Sequence, residues 1–317
     1  MGDTGRFVEA GRSADIAVVI VTYNSAAQVD ELFADLRRDA VSLALRVVVV
    51  DNESTDDTAE LVSKHDDINL IRSGGNIGYA GGINRARPHL GPSAAVLILN
   101  PDLRLRERAL AAMLSALARP DVGAVVPVSV FDEADKLDLT LRREPSILGA
   151  LGDAVMGGRR FAGRPSWLTE TELRLERYRM PHAVDWATGA ALLIRADVER
   201  TIGDWDESYF LYSEETDYCR RIRHHGYRVW FEPKALVQHS GAGSGTSSAL
   251  STLMAVNKVR YVERHHRRPY AAAYRAVVAL HEARRARDPA HRRTLGVLLR
   301  RDRWHELPRA TVVMAEP

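Results

Sequence analysis

Over the first 130 residues, short apolar runs alternate with amphipathic stretches. The runs at 16–22, 46–50, 68–71, 95–99 and 123–128 are almost unbroken in apolar character and rich in β-branched side chains. That pattern belongs to strands buried on both faces, where no position has to meet water. Between them, the stretches 26–38, 56–65, 80–90 and 106–118 carry the helical period, each behind a polar or Gly-rich turn. The βαβα order predicts an α/β fold, with a mostly parallel, Rossmann-like central sheet flanked by helices.

From 144 to 182 the period is lost among Gly, Arg and Pro, which predicts an irregular acceptor-side insertion or a mobile lid. Order returns with apolar runs at 184–187 and 190–195, a helix at 214–225, a strand at 227–231 and a loop at 238–245. After Ser247 the pattern is helical, with Leu253, Val256, Val259, Tyr261, Tyr274, Val277 and Val278 set among arginines. The expected organisation is an N-terminal tail (1–14), an α/β domain (15–247) and a basic helical appendage (248–317), without internal repeats.

Charge sharpens this division. The formal net charge is +2, yet residues 258–309 hold 15 Lys/Arg against 5 Asp/Glu, whereas residues 1–257 hold 29 against 36. The basic end suits a solvated surface or an interfacial helix pair near anionic lipids, and its amphipathic pattern fits a homodimer contact equally well. Nucleic acid is disfavoured as a partner, because the acidic body would repel phosphate. The lone Cys219 excludes an internal disulfide framework and a multi-Cys zinc site, and reads as a small buried side chain. A polar start carrying Asp3 and Glu9, and the lack of any apolar run of about 18 residues, lead us to expect a cytoplasmic protein, with peripheral contact at the inner face of the membrane.

In doubly wound sheets ligands gather at the carboxyl ends of strands. Those ends here are Thr22-Tyr23-Asn24-Ser25, Asp51-Asn52-Glu53-Ser54-Thr55-Asp56 and Asn100-Pro101-Asp102. Ser54 and Asp56 are also natural helix caps, but capping does not explain Asp51, which ends a strand directly. A carboxylate there can accept the imide N–H of uracil or thymine, with Thr22 and Asn24 on base and ribose. The segment Gly74–Asn84 offers close backbone approach and a helix N-terminus, or serves simply as a flexible loop. Asp102 and His239 form a candidate oxygen and imidazole pair for a divalent cation whose other ligands a diphosphate supplies. Aromatics followed by Glu214, Glu215 and Asp217 at a helix start either satisfy the helix dipole or provide a general base beside an aromatic wall.

Taken in order, these segments resemble the inverting glycosyltransferases of the GT-A fold, family 2, especially bacterial rhamnosyltransferases and galactofuranosyltransferase-like members. The resemblance runs from about residue 16 to 247. Residues 19–24 resemble the family's opening strand, 50–56 its nucleotide-binding turn and 76–84 its Asn-x-Gly-Phe/Tyr-Ala-x-Gly-x-Asn segment. Asn100-Pro101-Asp102 stands where the family has Asp-x-Asp, with Asn in place of the first acid. The resemblance thus implies donor contacts from Thr22, Tyr23, Asn24, Asp51, Asn52, Ser54, Asn76, Gly78, Tyr79, Ala80, Asn84, Asn100 and Asp102. It implies Mg2+ or Mn2+ on Asp102 and His239, and acceptor contacts from Trp186, Gly189 and Ala190.

Glu214-Glu215-Thr216-Asp217 resembles Glu-Asp-x-Asp, whose second acid is the base, which implies Glu215. Glu replaces the usual Asp, so Glu214 and Asp217 stay open as alternatives. The implied reaction passes a sugar from a nucleoside diphosphate, with dTDP-rhamnose favoured over UDP-galactofuranose and other UDP-sugars. Its acceptor would be a hydroxyl of a cell-envelope or polysaccharide glycan, including one linked to polyprenyl diphosphate. A nucleotidyltransferase and a non-catalytic sugar-nucleotide-binding module are the competing readings. Against the first stands the lack of a lysine-bearing Gly-rich loop near the first strand.

Overall fold

A computed structural model describes residues 5–9, 11–131, 136–157, 163–188, 191–239 and 247–310. The chain opens with β1 (Ala14–Thr22), α1 (Val29–Asp39), β2 (Leu45–Asp51), α2 (Thr58–Ser63), β3 (Ile68–Arg72), α3 (Gly78–Ala86) and β4 (Ser93–Leu99). Then come β5 (Leu103–Leu105), α4 (Ala109–Leu117), β6 (Val122–Phe131), β7 (Lys136–Asp138), β8 (Leu141–Arg142) and α5 (Ile147–Met156). After β9 (His182–Val184), β10 (Trp186–Ala187) and β11 (Ala191–Arg195) stand α6 (Ala196–Ile202), α7 (Glu214–His224) and β12 (Arg228–His239). Three helices follow: α8 (Ser248–His265), α9 (Arg268–Arg284) and α10 (Pro289–Leu299).

The main sheet has the order β3-β2-β1-β4-β11-β6-β12-β5, with β7 on β6 and β9 on β12. Strands β1 to β4 are parallel, β11 runs antiparallel between β4 and β6, and β12 is parallel to β6. Along β1 the residues alternate between two cores. Ile16, Val18 and Ile20 meet Leu32, Phe33 and Leu36 of α1, while Ala17, Val19 and Val21 meet Ile83 of α3 on the opposite face. Burial on both faces explains the unbroken apolar runs.

A third core belongs to the last helices. Leu253, Val256, Tyr261, Tyr274, Val278 and Leu298 pack together, joined by Tyr209 and, at their margin, Phe210 and Leu211. No helix among the described residues is long and apolar enough to cross a membrane.

Three expectations change. The stretch 144–182 contains α5, a ten-residue helix capped by Ser146, whose Oγ accepts from Gly149 N at 3.1 Å. Glu170, from the same stretch, is buried against the C-terminal helices, accepting from Tyr274 Oη at 2.8 Å with Lys258 at 3.7 Å. The strand expected at 227–231 is only the first part of β12, which shifts register between Glu232 and Leu236 and continues to His239. At the start of the chain, Phe7 is buried and Val8 N donates to Leu45 O at 2.7 Å, so part of the expected tail is built into the body.

Candidate active site

The first two strand ends are stapled to each other. Thr22 Oγ1 donates to Asp51 Oδ1 at 3.0 Å, Ser54 Oγ donates to the same oxygen at 2.5 Å, and Ser54 N donates to Oδ2 at 3.1 Å. Asn24 N in turn donates to Ser54 Oγ at 2.9 Å, and Asn24 Oδ1 accepts from Thr55 N at 2.8 Å. Ser54 therefore orients Asp51 and makes no cap. Asp56 does satisfy Thr58 N at the start of α2, and with its other oxygen holds Ala26 N. Asp51 is only 3% exposed, whereas Tyr23 projects into solvent above it.

The Gly-rich segment is held from both sides. Asn52 Nδ2 donates to Gly78 O at 2.8 Å, and Asn76 Oδ1 accepts from Gly78 N at 3.1 Å. Gly78 has φ +79°, and a Cβ there would collide with the carbonyl of Phe210, which accepts from Tyr79 N at 2.7 Å. Asn84 clamps the residues before that turn: its Nδ2 donates to Trp205 O and Glu207 Oε1, and its Oδ1 accepts from Trp205 N. The amides of Asn52 and Asn84 thus serve neighbouring segments, and Ala80 lies in the core beneath the loop. All three were expected as donor contacts.

Antiparallel pairing of β5 with β12 sets His239 opposite Leu103, the neighbour of Asp102. Asp102 follows β4, and β5 is fixed from behind by Asp35 of α1, which binds Leu105 N at 2.9 Å and Arg104 Nε at 2.8 Å. His239 Nε2 and Asp102 Oδ2 are 3.0 Å apart, and the hydrogen bond and charge of Asp102 raise the imidazole pKa. Neighbouring ligands in an octahedron with bonds of about 2.1 Å are about 3 Å apart, so the pair fits a hard divalent cation at adjacent positions. Among the described residues no cluster of three His, Cys, Asp or Glu could hold a metal ion, so the remaining ligands must come from elsewhere.

One phenol ties this corner to the acidic motif. Tyr79 Oη donates to Asn100 Oδ1 at 2.7 Å. Burial, then the charges of Glu214, Glu215 and Asp102, push its pKa well above the ordinary value, so it remains a donor at neutral pH. The three acids of α7 have different surroundings. Glu214 is 3% exposed, and burial followed by the charge of Glu215 raises its carboxyl far above the usual range. Asp217 is held by His265 Nε2 at 2.7 Å and Arg221 Nε at 2.8 Å, which outweigh its burial and keep it ionised. Glu215 is the least buried of the three, with its Oε2 shielded from solvent. The turn before it contains Phe210, Tyr212 and Ser213, all at φ between +63° and +75° without a glycine. Such strain persists only where surrounding structure imposes it.

Against known proteins, the profile described as "Glycosyl transferase family 2" matches residues 17–199. The chain belongs to glycosyl transferase family 2. This family 2 member is 31% identical over 260 residues to the N-acetylglucosaminyl-diphospho-decaprenol L-rhamnosyltransferase of Mycobacterium tuberculosis, covering 78% of this chain and 83% of that one. It is 28% identical over 213 residues to the low-salt glycan biosynthesis hexosyltransferase Agl10 of Haloferax volcanii, covering 66% of this chain and 62% of that one. Among solved structures, the mannosyltransferase PcManGT of Pyrobaculum calidifontis, described in complex with GDP-Man and Mn2+, superposes with a TM-score of 0.55 at 18% identity. That match covers 94% of this chain and 88% of the other, and shows the shared GT-A fold. The protein is a glycosyltransferase, and the nucleotidyltransferase reading falls with that assignment.

Trp186, expected at the acceptor, is half-buried, and its Nε1 donates to Arg143 O at 2.9 Å. Gly189 and Ala190 lie outside the described residues. Cys219 is buried, which pushes its thiol up to about 12 and makes it inert. Sequence reading missed Asn257, Arg221 and His265, which act on the acidic motif from within helices; their spacing matches no motif.

Proposed function

We propose that this family 2 enzyme transfers L-rhamnose from dTDP-rhamnose, with inversion, to a hydroxyl of a glycan carried on polyprenyl diphosphate. The observation that carries the mechanism is Glu215. It is the least buried acid of α7, and its charge acts on the same phenol as that of Asp102. An ionised carboxylate has about four acceptor sites, and protein donors take three at Asp51. The fourth suits the imide N–H of a pyrimidine. Asp102 and His239 would hold Mg2+ or Mn2+. That cation, when bound, stabilises the charge that develops on the leaving diphosphate.

Glu215 takes the proton of the acceptor hydroxyl as its oxygen attacks the anomeric carbon from the face opposite the leaving group. The C–O bond to the diphosphate breaks as the new glycosidic bond forms, through an oxocarbenium-like transition state of the kind found in glycoside hydrolysis. Rhamnose is favoured because the M. tuberculosis relative is named for it and for a decaprenol-linked acceptor. A hexose from a UDP-sugar is the alternative, since Agl10 is named a hexosyltransferase. A lipid-linked acceptor would give the basic C-terminal helices an anionic membrane surface to meet.

The test incubates purified protein, Mn2+ and a polyprenyl-diphosphate glycan with dTDP-rhamnose or with UDP-sugars. Expected is transfer from dTDP-rhamnose with inverted configuration. Glu215→Gln is expected to keep nucleotide affinity and to lose about 10²- to 10⁴-fold in kcat. Transfer from UDP-sugars alone would replace the rhamnosyl reading, and full turnover by E215Q would remove Glu215 as the base.

A further inference from the structure

The acids of α7 are held in place from the C-terminal helices. Asn257, fully buried on α8, donates from Nδ2 to Tyr209 O at 2.7 Å, Leu211 O at 2.9 Å and Tyr212 O at 3.1 Å. These carbonyls belong to the turn in which Phe210, Tyr212 and Ser213 adopt left-handed φ, immediately before Glu214 and Glu215. Arg260, one turn further along α8, donates to Asn257 Oδ1 at 3.0 Å, which fixes the amide with its donor toward the carbonyls. On the other side, Phe210 O accepts from Tyr79 N. The turn is thus drawn between the donor loop and α8. A non-glycine residue in this conformation is disfavoured by itself, so three in four positions need external hydrogen bonds to stay there.

We propose that Asn257 is a positioning residue for the reaction: its amide holds the left-handed turn 209–213, and that turn sets where α7 begins and where Glu215 points. The proposal rests on an acid of α7 serving as base. It assigns the C-terminal helices a part in catalysis separate from any docking role. A residue that merely anchored α8 to the body would act on stability, and the conformational preference of the turn would be immaterial to it.

The test is a cycle of Asn257→Ala and Ser213→Gly, with kcat expressed per nucleotide-binding site measured by calorimetry. N257A is expected to bind nucleotide diphosphate within about twofold of wild type and to lose about 10- to 100-fold in kcat, the range a small displacement of a catalytic group produces. Glycine takes the left-handed conformation freely. Ser213→Gly should therefore raise the kcat of N257A at least about threefold more than it raises that of the wild type. Wild-type kcat in N257A, or equal effects of S213G in both backgrounds, would overturn the proposal. So would parallel loss of kcat and nucleotide binding.

If N257A does not accumulate as folded protein, Arg260→Met, at a half-exposed position, replaces it. It is expected to lower kcat severalfold with nucleotide affinity retained, and unchanged kcat would overturn the proposal. The cycle reads the turn whichever acid of α7 is the base. Full activity in E215Q would therefore defeat the base assignment while the cycle still judged Asn257.

Discussion

At the residue scale, neighbouring carboxylates take different roles because their partners differ. Asp217 is bonded by His265 and Arg221 and stays ionised as a structural tie, whereas Glu214 is buried beside another acid and is driven toward the neutral form. Glu215 is the least buried of the three. The acids themselves stood out in the sequence, but their partners His265 and Arg221 did not, because ion pairing is decided by packing. The pair Asp102 and His239 was legible as two candidate ligands, and the structure adds their 3.0 Å separation, which the proposed metal site requires. His239→Ala is expected to weaken Mn2+-dependent nucleotide binding by at least about tenfold, or about 1.4 kcal/mol. In EDTA the variant and the wild type should bind free nucleotide alike. Calorimetry with and without Mn2+ checks this, and equal Mn2+ enhancement in both proteins would remove His239 from the site.

At the element scale, the long apolar runs announced β1, β2 and β4, since burial on both faces leaves no other pattern. β5 has three residues, too few to show a period, and depends on Asp35 and on β12 for its place. α5 was hidden by its glycines. Gly149 and Gly152 suggested a loop, but they are contact points: a Cβ on Gly152 would strike the carbonyl of Leu168, and one on Gly149 would crowd Glu170. Gly78 is a similar case at the start of α3, where both its φ and the nearby Phe210 carbonyl demand glycine. Gly78→Ala is expected to cost at least about 1–2 kcal/mol for the left-handed backbone alone. Because the displaced partner is the turn before α7, kcat should fall together with the melting temperature. A thermal melt beside a turnover assay reads both, and an unchanged kcat would show that the donor loop and the turn are uncoupled.

At the scale of the whole molecule, one polar tie at the edge of the first core gives stability a pH signature. Arg37 donates to both oxygens of Asp67 at 2.7 and 2.8 Å, and its guanidinium lies over the Phe7 ring. The arginine hydrogen bond, aided by Phe7 N, lowers the Asp67 pKa to about 2. A carboxyl depressed on folding stabilises the protein above its unfolded pKa, near 3.9, and the contribution disappears as pH falls through the folded value. Asp67→Asn is therefore expected to cost on the order of 2 kcal/mol near neutrality. The difference from wild type should shrink as pH is lowered from 5 toward 3. Urea denaturation across that range measures it, and a gap independent of pH would show that the tie acts through shape rather than charge.

The third core places the seam of the enzyme away from the boundary at residue 247 that helical periodicity suggests. Tyr209 is buried with α8 and α9, Asn257 grips the turn after it, and His265 reaches back to Asp217. Recombination between relatives at residue 247 would separate α7 from the helix that holds it, and the progeny would inherit mismatched halves. A crossover before Trp205 keeps the acids and α8 in one cassette, but that cassette must still fit the first half through β12 on β6 and β5, His239 on Asp102, Phe210 O on Tyr79 N and Asn84 on Trp205. The acids of α7, the turn before them and α8 thus pass between relatives as one unit, whose edge the sequence pattern does not mark.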